Sequence, residues 1–223
     1  VVLEATDLHL KRSVALKLIL LNGPITDEVR AYFAREARSL AAISHPCVVR
    51  VLDGDVAGDT PYLAMELLEG ASLYEIVHDE LPSAATLCGW LDQLLDALTY
   101  VHERKMLHRD LKPSNIFVDD DGRPVLIDFG LVSNAESTRL TATGVVLGTP
   151  RFLAPELLAN APPSPASDLF ALAMTALEAL TGRSVHTLPG QPARVDAVLQ
   201  SVRSGSYFER AREELRAGPV AQV

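Results

Sequence analysis

Two polar loops near the middle of the chain constrain its fold more than any other feature. The first loop runs from His108 to Asn115 and places a carboxylate (Asp110), an ammonium (Lys112) and a carboxamide (Asn115) within eight residues. Pro113 excludes a regular helix there and favours extended backbone geometry at Lys112. We therefore expect a short irregular loop that directs the three polar groups at one point.

The second loop begins at Asp128, directly after the apolar run 124–127. Residues 120–122 (Asp-Asp-Gly) predict the turn of a hairpin that ends in this run. The two strands of such a hairpin bring Asn115 and Asp128 to the same end. Asp110 can accept a proton from a hydroxyl, and the oxygen atoms of Asn115 and Asp128 suit a hard cation such as Mg²⁺. The two loops together predict a site that combines a proton acceptor with a metal.

The paired loops resemble the catalytic and magnesium loops of eukaryotic-type (Hanks-type) protein kinases, closest to the bacterial Ser/Thr branch. The matching motifs are His108-Arg109-Asp110, Lys112, Asn115 and Asp128-Phe129-Gly130. This resemblance implies an α+β, bilobal protein-kinase-like fold, with a small antiparallel β-sheet N-lobe that carries helix C and a mainly α-helical C-lobe. The expected N-lobe is residues 1–66, and the expected C-lobe is residues 67–223.

The resemblance implies a catalytic role for three residues of the first loop. Asp110 would accept the proton of the substrate hydroxyl, Lys112 would neutralise the transferred phosphoryl group, and Asn115 would hold Mg²⁺. Asp128 would be the second Mg²⁺ ligand and would belong to the ATP site. Taken alone, each of these residues would be an ordinary polar side chain of a surface loop.

An ATP site in the N-lobe is also implied by the resemblance. Lys17 matches the strand lysine that pairs with the α- and β-phosphates, although most strand lysines simply face solvent. Glu36 matches the helix-C glutamate that forms an ion pair with this lysine, although a glutamate beside an arginine is commonly only a surface ion pair. The other residues implied at the nucleotide are Val2, Ala15, Met65, Glu66, Leu68 and Phe117. Met65 would be the gatekeeper, and backbone groups of Glu66 and Leu68 would bind adenine.

Two further residues, one in the first loop and one far along the chain, are expected to support the site without reacting. In the family, His108 packs under Phe129, so we favour a structural role over that of a general base. Asp168 is expected to hydrogen-bond to the backbone of the catalytic loop. As a carboxylate at a helix N-terminus it is also favourable without any function, and one side chain can do both.

A long polar segment follows the second loop and ends in an Ala-Pro-Glu motif. A polar loop of this length inside a compact domain is usually functional, and this one resembles an activation segment. Arg109 resembles the arginine that binds a phosphothreonine and orders the segment. Thr141 and Thr143 have the two-threonine spacing of bacterial members, and Thr149 together with Lys112 matches the Ser/Thr branch.

Hydrophobic patterning predicts the elements around these motifs. Strands are expected at 1–7, 13–20, 48–53 and 61–68, a turn at 69–72, and helices at 26–43, 84–103, 167–182, 195–202 and 207–216. The helix at 84–103 carries apolar residues at three- and four-residue steps, which is typical of a core helix. Ser167 is expected to cap the helix at 167–182, and Gly182 is expected to end it.

Composition limits the classes of function. A formal net charge of −9 argues against a mainly electrostatic nucleic-acid binder, and a hydrophobic content of 48% supports a real core. The two cysteines, Cys47 and Cys88, form no disulfide framework and no metal-ligand spacing, so both are expected as buried free thiols. The sequence has no apolar run of about 18 residues. No membrane span is therefore expected within the chain, and a cytoplasmic location fits.

The leading interpretation is a Ser/Thr protein kinase that uses ATP, Mg²⁺ and protein substrates, with trans-autophosphorylation in a homodimer as a route to activation. The Gly-x-Gly-x-x-Gly loop and first strand of the family belong just before Val2 and are not in the sequence. We therefore expect a piece of a longer kinase that folds poorly or binds ATP weakly.

Two alternatives stay open at this point: a non-catalytic kinase-like module and a small-molecule kinase of related fold. The presence of Lys17, Asp110, Asn115 and Asp128 counts against the first. The long activation segment counts against the second.

Overall fold

The described part of the chain contains seven strands and seven α-helices. The structure, a computed structural model, describes residues 1–20, 25–130, 150–184, 186 and 195–217. The strands are β1 (Val2–Asp7), β2 (Arg12–Leu18), β3 (Val51–Ala57), β4 (Thr60–Glu66), β5 (Gly70–Ser72), β6 (Ile116–Asp119) and β7 (Pro124–Leu126). The helices are α1 (Asp27–Ala41), α2 (Leu73–Asp79), α3 (Ala84–Glu103), α4 (Pro155–Leu158), α5 (Pro165–Thr181), α6 (Val195–Ser204) and α7 (Ser206–Ala217).

The first sheet is antiparallel and has the strand order β1-β2-β4-β3. Strands β1 and β2, which were expected at 1–7 and 13–20, form a hairpin in which Val2 lies opposite Lys17. Helix α1 is capped by Thr26, whose hydroxyl accepts a hydrogen bond from the backbone N–H of Val29 at 3.3 Å. It packs against β3, and its buried residues are Phe33, Ala37 and Leu40.

The close approach of α1 to the sheet requires a glycine in β3. A Cβ atom built on Gly54 would lie 2.7 Å from Cδ2 of Leu63 and 2.9 Å from Cβ of Ala37. Because protein atoms do not pack at such distances, a side chain at this position would push α1 away from the sheet. Glu36 is on α1, so this spacing also sets its distance from the strand that bears Lys17.

A second antiparallel sheet has the strand order β5-β6-β7. Strands β6 and β7 are the hairpin expected from the Asp-Asp-Gly turn, and Ile116 lies opposite Leu126. The turn expected at 69–72 is wrong, because Gly70 begins strand β5 there. Its φ of 136° brings the Gly70 backbone against the carbonyl of Val118, where a side chain would collide.

Helix α3 is the core helix expected at 84–103. Its residues Leu87, Leu94, Leu98 and Val101 are at most 1% exposed. Helix α5 packs against α3 and α7, and α6 packs against the 3₁₀ turn Pro150–Phe152. Helices α6 and α7 confirm the two helices expected near the end of the chain. In the described ranges, no helix combines the length and the apolar character that a membrane crossing requires.

The strand expected at 48–53 begins only at Val51. The backbone N–H of Val49 donates to the carbonyl of Leu126 at 2.9 Å, and the N–H of Leu126 donates to the carbonyl of Cys47 at 2.9 Å. These residues therefore pair with β7 of the second sheet before the chain enters the first one. Residues 47–49 connect the two sheets, which an apolar run in the sequence does not reveal.

Helix α5 begins two residues earlier than expected, at Pro165, and the cap is Ser164 instead of Ser167. The hydroxyl of Ser164 accepts from the backbone N–H of Ser167 at 3.3 Å, and the hydroxyl of Ser167 accepts from the N–H of Ser164 at 3.1 Å. This reciprocal capping box, with proline in the first turn, sets the start of the helix. Gly182 ends the helix as expected, with a φ of 66°.

The two cysteines differ in environment. Cys47 is buried as expected, whereas Cys88 is exposed, so the expectation is wrong for Cys88. Cys88 lies on α3 next to Leu87 but outside the three- and four-residue spacing of the buried residues. Burial raises the pKa of the Cys47 thiol.

Candidate active site

The first loop brings its three predicted polar groups into contact. Oδ2 of Asp110 accepts hydrogen bonds from Nζ of Lys112 at 2.7 Å and from Nδ2 of Asn115 at 2.9 Å. Nδ2 of Asn115 also donates to the backbone carbonyl of Asp110 at 2.7 Å. The Asp110 side chain is nevertheless 44% exposed. A hydroxyl group can therefore reach its carboxylate from solvent.

Backbone hydrogen bonds join this loop to the second one. The N–H of Gly130 donates to the carbonyl of His108 at 2.9 Å, and the N–H of Ile127 donates to the carbonyl of Asn115 at 3.0 Å. The His108 ring donates from Nε2 to the Ile127 carbonyl at 2.9 Å and packs on Phe129, with ring centroids 4.6 Å apart. Burial lowers the pKa of His108, so the ring is a neutral structural group, as expected.

Asp168 anchors the backbone of the first loop. Its Oδ2 accepts from the N–H of His108 at 2.9 Å and from Nε2 of His102 at 2.8 Å, and its Oδ1 accepts from the N–H of Arg109 at 2.9 Å. The expected hydrogen bonds to the loop backbone are confirmed. Asp168 is 3% exposed and lies in the first turn of α5, so the same carboxylate also faces the positive end of the helix dipole.

Two residues of the site adopt strained backbone conformations. Arg109 has a φ of 68° and Asp128 a φ of 60°. Non-glycine residues rarely occupy this left-handed region and do so mainly where the surroundings hold them. Here the holding contacts are the Asp168 carboxylate at Arg109 and the Gly130–His108 hydrogen bond after Asp128.

Lys17 reaches the second loop but not the predicted glutamate. Its Nζ lies 3.1 Å from Oδ1 of Asp128, and no ion pair between Lys17 and Glu36 forms. The Glu36 carboxylate instead lies 3.7 Å from the guanidinium of its neighbour Arg35. The expectation of a Lys17–Glu36 pair is therefore wrong for this structure, because the Lys17 ammonium is held by Asp128.

The register of the first sheet brings together several residues that were predicted to contact the nucleotide. Val2 and Lys17 lie opposite each other, as do Ala15 and Met65. Directly opposed residues share a face, and so do residues two apart on one strand. Val2, Ala15, Lys17 and Met65 therefore lie on one face of the sheet. Met65 is buried, whereas Val2 is exposed.

The other residues predicted at the nucleotide follow the first sheet. Glu66 ends β4, and its backbone N–H donates to the carbonyl of Arg50 at 3.0 Å. Leu68 packs against the core, and no described residue hydrogen-bonds to its backbone N–H or carbonyl. Phe117 is on β6 of the second sheet, opposite Val125.

The donor set of the two loops fits magnesium. Because Nδ2 of Asn115 is engaged by Asp110, its amide oxygen is available for a cation, and Asp128 supplies a carboxylate. Mg²⁺ is commonly bound by one or two carboxylates together with substrate phosphates and waters. No cluster of three or more His, Cys, Asp or Glu suited to a metal occurs in the described ranges.

The regulatory residues are only partly described. Nε of Arg109 is buried and has no hydrogen-bond partner among the described residues. Thr141, Thr143 and Thr149 lie outside the described residues.

A pocket of about 250 Å³ lies next to the first loop. The lining residues are Tyr74, Lys112, Pro113, Ser114, Arg151 and Phe152. The sequence motifs contain Lys112 but gave no role to Tyr74 or Arg151. The sequence could have indicated Arg151 as a site residue, since it lies in the segment that leads to the Ala-Pro-Glu motif. No sequence feature indicates Tyr74 on α2.

The fold and the site define the class of protein. Lys17 of the first sheet contacts Asp128 of the second loop, and a family model described as "Protein kinase domain" matches residues 1–212. The chain belongs to the protein kinase domain family. It is 35% identical over 187 residues to the serine/threonine-protein kinase PknL of Mycobacterium tuberculosis, which covers 83% of this chain and 47% of PknL. It is also 33% identical over 180 residues to PrkC of Bacillus subtilis, covering 80% of this chain and 28% of PrkC.

A solved structure has the same fold. The crystal structure of Rad53 residues 1–466 in complex with AMP-PNP superposes with a TM-score of 0.74 at 25% identity, covering 96% of this chain and 52% of that chain. Streptomyces coelicolor AfsK, another serine/threonine-protein kinase, is 36% identical over 208 residues, covering 92% of this chain and 25% of AfsK. The chain thus spans about half or less of the length of these curated relatives.

Proposed function

We propose that this chain is the catalytic domain of a Ser/Thr protein kinase, which transfers the γ-phosphoryl group of Mg·ATP to a Ser or Thr hydroxyl of a protein. The observation that carries the proposal is the contact of Asp110 with Lys112 and Asn115, on a loop bonded to the one that bears Asp128. The relatives that the chain matches are named serine/threonine-protein kinases. Nothing in the comparisons favours a non-catalytic module.

Catalysis in this proposal combines a proton acceptor with charge neutralisation. Asp110 takes the proton of the substrate hydroxyl as that oxygen forms a bond to the γ-phosphorus and the bond to the β–γ bridging oxygen breaks, which leaves ADP. Lys112, 2.7 Å from Asp110, neutralises negative charge on the transferring group. Mg²⁺ bound through Asn115 and Asp128 would neutralise the phosphates.

Nucleotide binding is proposed on the face of the first sheet that carries Lys17. Lys17 would release Asp128 and pair with the α- and β-phosphates, which frees the Asp128 carboxylate for the metal. Val2, Ala15, Met65 and Phe117 would surround the adenine, and backbone groups of Glu66 and Leu68 would hydrogen-bond to it. The similar Rad53 structure is a complex with AMP-PNP, which supports ATP as the nucleotide.

Regulation is proposed through the segment that follows the second loop. Phosphorylation of Thr141 and Thr143 by a second copy of the chain would supply an anion for the guanidinium of Arg109, whose Nε has no partner among the described residues. Thr149 would contribute to Ser/Thr specificity. We place this activity in the cytoplasm, because ATP is supplied there and both cysteines are unpaired.

A phosphoryl-transfer assay tests the proposed function. The chain is incubated with radiolabelled Mg·ATP and dephosphorylated casein, and the labelled amino acids are identified after acid hydrolysis. We expect phosphoserine and phosphothreonine, a sharp loss in Asp128→Asn because the metal ligand is weakened, and wild-type transfer in Asp121→Asn, which changes an exposed aspartate of the hairpin turn. Absence of transfer by the wild type, or equal transfer by Asp128→Asn, would contradict the proposal.

A further inference from the structure

A chain of hydrogen bonds connects the last two helices to the pocket beside Asp110. The backbone carbonyl of Arg151 accepts from Nε2 of His186 at 2.9 Å. Nδ1 of His186 lies 3.3 Å from Oγ of Ser201 on α6. That oxygen accepts from Nη2 of Arg210 on α7 at 2.7 Å. No sequence motif pointed to His186, Ser201 or Arg210.

The donors in this series of hydrogen bonds all point towards Arg151. A guanidinium has no acceptor atom, so Ser201 must accept from Arg210, and the Ser201 proton is then available to Nδ1 of His186. This arrangement requires a neutral imidazole, because a protonated ring has no acceptor at Nδ1. Burial, together with the charges of Arg210 and Arg151, lowers the pKa of His186 to about 4. The ring is therefore neutral at pH 7 and donates only from Nε2.

These hydrogen bonds are buried or partly buried, and Arg151 is held both at its backbone carbonyl and at its side chain. His186 and Ser201 are each 2% exposed, so breaking the chain would leave polar groups unpaired away from water. The ring of His186 packs near Tyr207 of α7, with centroids 5.6 Å apart. At the other end of Arg151, Nη1 lies 3.4 Å from Oε2 of Glu178 on α5. The position of Arg151 thus depends on α5, α6 and α7.

The pocket wall formed by Arg151 and Phe152 lies close to the proposed proton acceptor. Lys112 lines the same pocket and contacts Asp110 at 2.7 Å. Through Lys112 the pocket adjoins Asp110, so a protein segment that presents its hydroxyl to Asp110 can place a neighbouring residue in this pocket. Tyr74 completes the wall from α2.

We propose that His186 is a positioning residue for the protein substrate: through the Arg151 carbonyl it holds the pocket wall that receives a side chain flanking the acceptor hydroxyl. This inference rests on the proposed kinase function. It extends that function to α6 and α7, which lie outside the recognised motifs. The network acts on binding of the protein substrate and leaves the groups that bind ATP untouched.

Steady-state kinetics with dephosphorylated casein and Mg·ATP test the inference. His186→Leu keeps the bulk of the side chain but removes both hydrogen bonds, so KM for casein should rise about three- to tenfold, while kcat and KM for ATP stay within about twofold of wild type. His186→Gln, which has both a donor and an acceptor, should restore most of the casein KM. Arg212→Gln is the matched control, because it removes a charge from an exposed ion pair of α7.

Hydrogen–deuterium exchange gives a readout that does not depend on turnover. We expect faster exchange at 151–154 in His186→Leu, with unchanged protection in α3. If His186→Leu does not fold, Arg210→Gln should show the same two changes to a smaller extent.

An unchanged casein KM in folded, active His186→Leu or Arg210→Gln would overturn the inference. Equal casein KM values for His186→Leu and His186→Gln would also overturn it, because they would show that only side-chain shape matters. Failure of the kinase function would look different, since the wild type itself would transfer no phosphate to casein. That result would remove the inference as well.

Discussion

At the scale of single residues, Asp168 sets the geometry of the first loop. Its carboxylate accepts from two consecutive backbone N–H groups, of His108 and Arg109, and from the ring of His102. Arg109 is in the left-handed region with a φ of 68°, a conformation that persists only when neighbouring groups hold it. The position of Asp110, the next residue, therefore depends on a side chain that does not itself react.

Asp168→Asn should weaken both stability and activity. The amide has almost the same shape but accepts through only one atom, so at least one buried N–H loses its partner. We expect the free energy of unfolding to fall by about 2 kcal/mol, measured by chemical denaturation. Asp96→Asn is the control, because that side chain also contacts a histidine, His45, but is 80% exposed. Equal losses in the two variants would contradict the anchoring role of Asp168.

His186 makes stability depend on pH in a defined direction. Its pKa is lowered from 6.5 to about 4 in the folded protein, so the unfolded chain binds a proton first as pH falls. Stability is therefore fully present above about pH 6.5 and is lost as pH falls towards 4.

The contribution of His186 to this pH dependence can be isolated with a side chain that does not titrate. From pH 7 to pH 5.5 the wild type should lose about 1 kcal/mol more of its unfolding free energy than His186→Gln does. His108, whose pKa is also lowered, is unchanged in both proteins and cancels in the comparison. A greater loss in His186→Gln than in the wild type would contradict this assignment.

At the scale of elements, the sequence predicts strands, turns and helices correctly where residues close in the chain determine the structure. The Asp-Asp-Gly turn located the β6–β7 hairpin, and the apolar spacing of α3 located the helix and its buried residues. Pro113 correctly indicated an irregular first loop, which contains a 3₁₀ turn. These features depend on residues that are close in the chain.

Contacts between distant elements were not predictable in the same way. Val49 pairs with Leu126 of the second sheet, a choice that an apolar strand pattern does not encode. Lys17 pairs with Asp128 instead of Glu36. Two carboxylates compete for one ammonium, and the distances between these groups in the folded chain determine which pair forms. The link from His186 to Arg151 joins residues 35 apart in the chain, and no local periodicity marks it.

The segment after the second loop should be a regulatory element. We predict autophosphorylation at Thr141 and Thr143, since each phosphate adds about −1.5 to −2 charge at pH 7 that the guanidinium of Arg109 can bind. Mass spectrometry after incubation with Mg·ATP locates the sites. The double variant Thr141→Ala/Thr143→Ala should have a lower kcat than wild type. Phosphorylation at other sites, or an unchanged kcat in the double variant, would contradict the regulatory role of this segment.

At the scale of the whole molecule, the site joins the two sheets. Lys17 belongs to the first sheet and Asp128 follows the last strand of the second, and their ion pair of 3.1 Å spans the region between them. Residues 47–49 connect the same two sheets through the backbone. The lobe boundary between residues 66 and 67 stays a prediction. Lys17, the proposed phosphate-binding group, and Asp110, the proposed proton acceptor, thus belong to different parts of one molecule.

The most direct test of the kinase assignment is the turnover of Asp110→Asn with Mg·ATP and dephosphorylated casein. Asparagine has nearly the same shape as aspartate and keeps part of the contacts to Lys112 and Asn115. It cannot accept a proton. We expect kcat to fall by about 10²- to 10⁴-fold, with the ATP dissociation constant unchanged and with wild-type turnover in the exposed control Asp92→Asn. A kcat of Asp110→Asn close to that of the wild type would contradict the account.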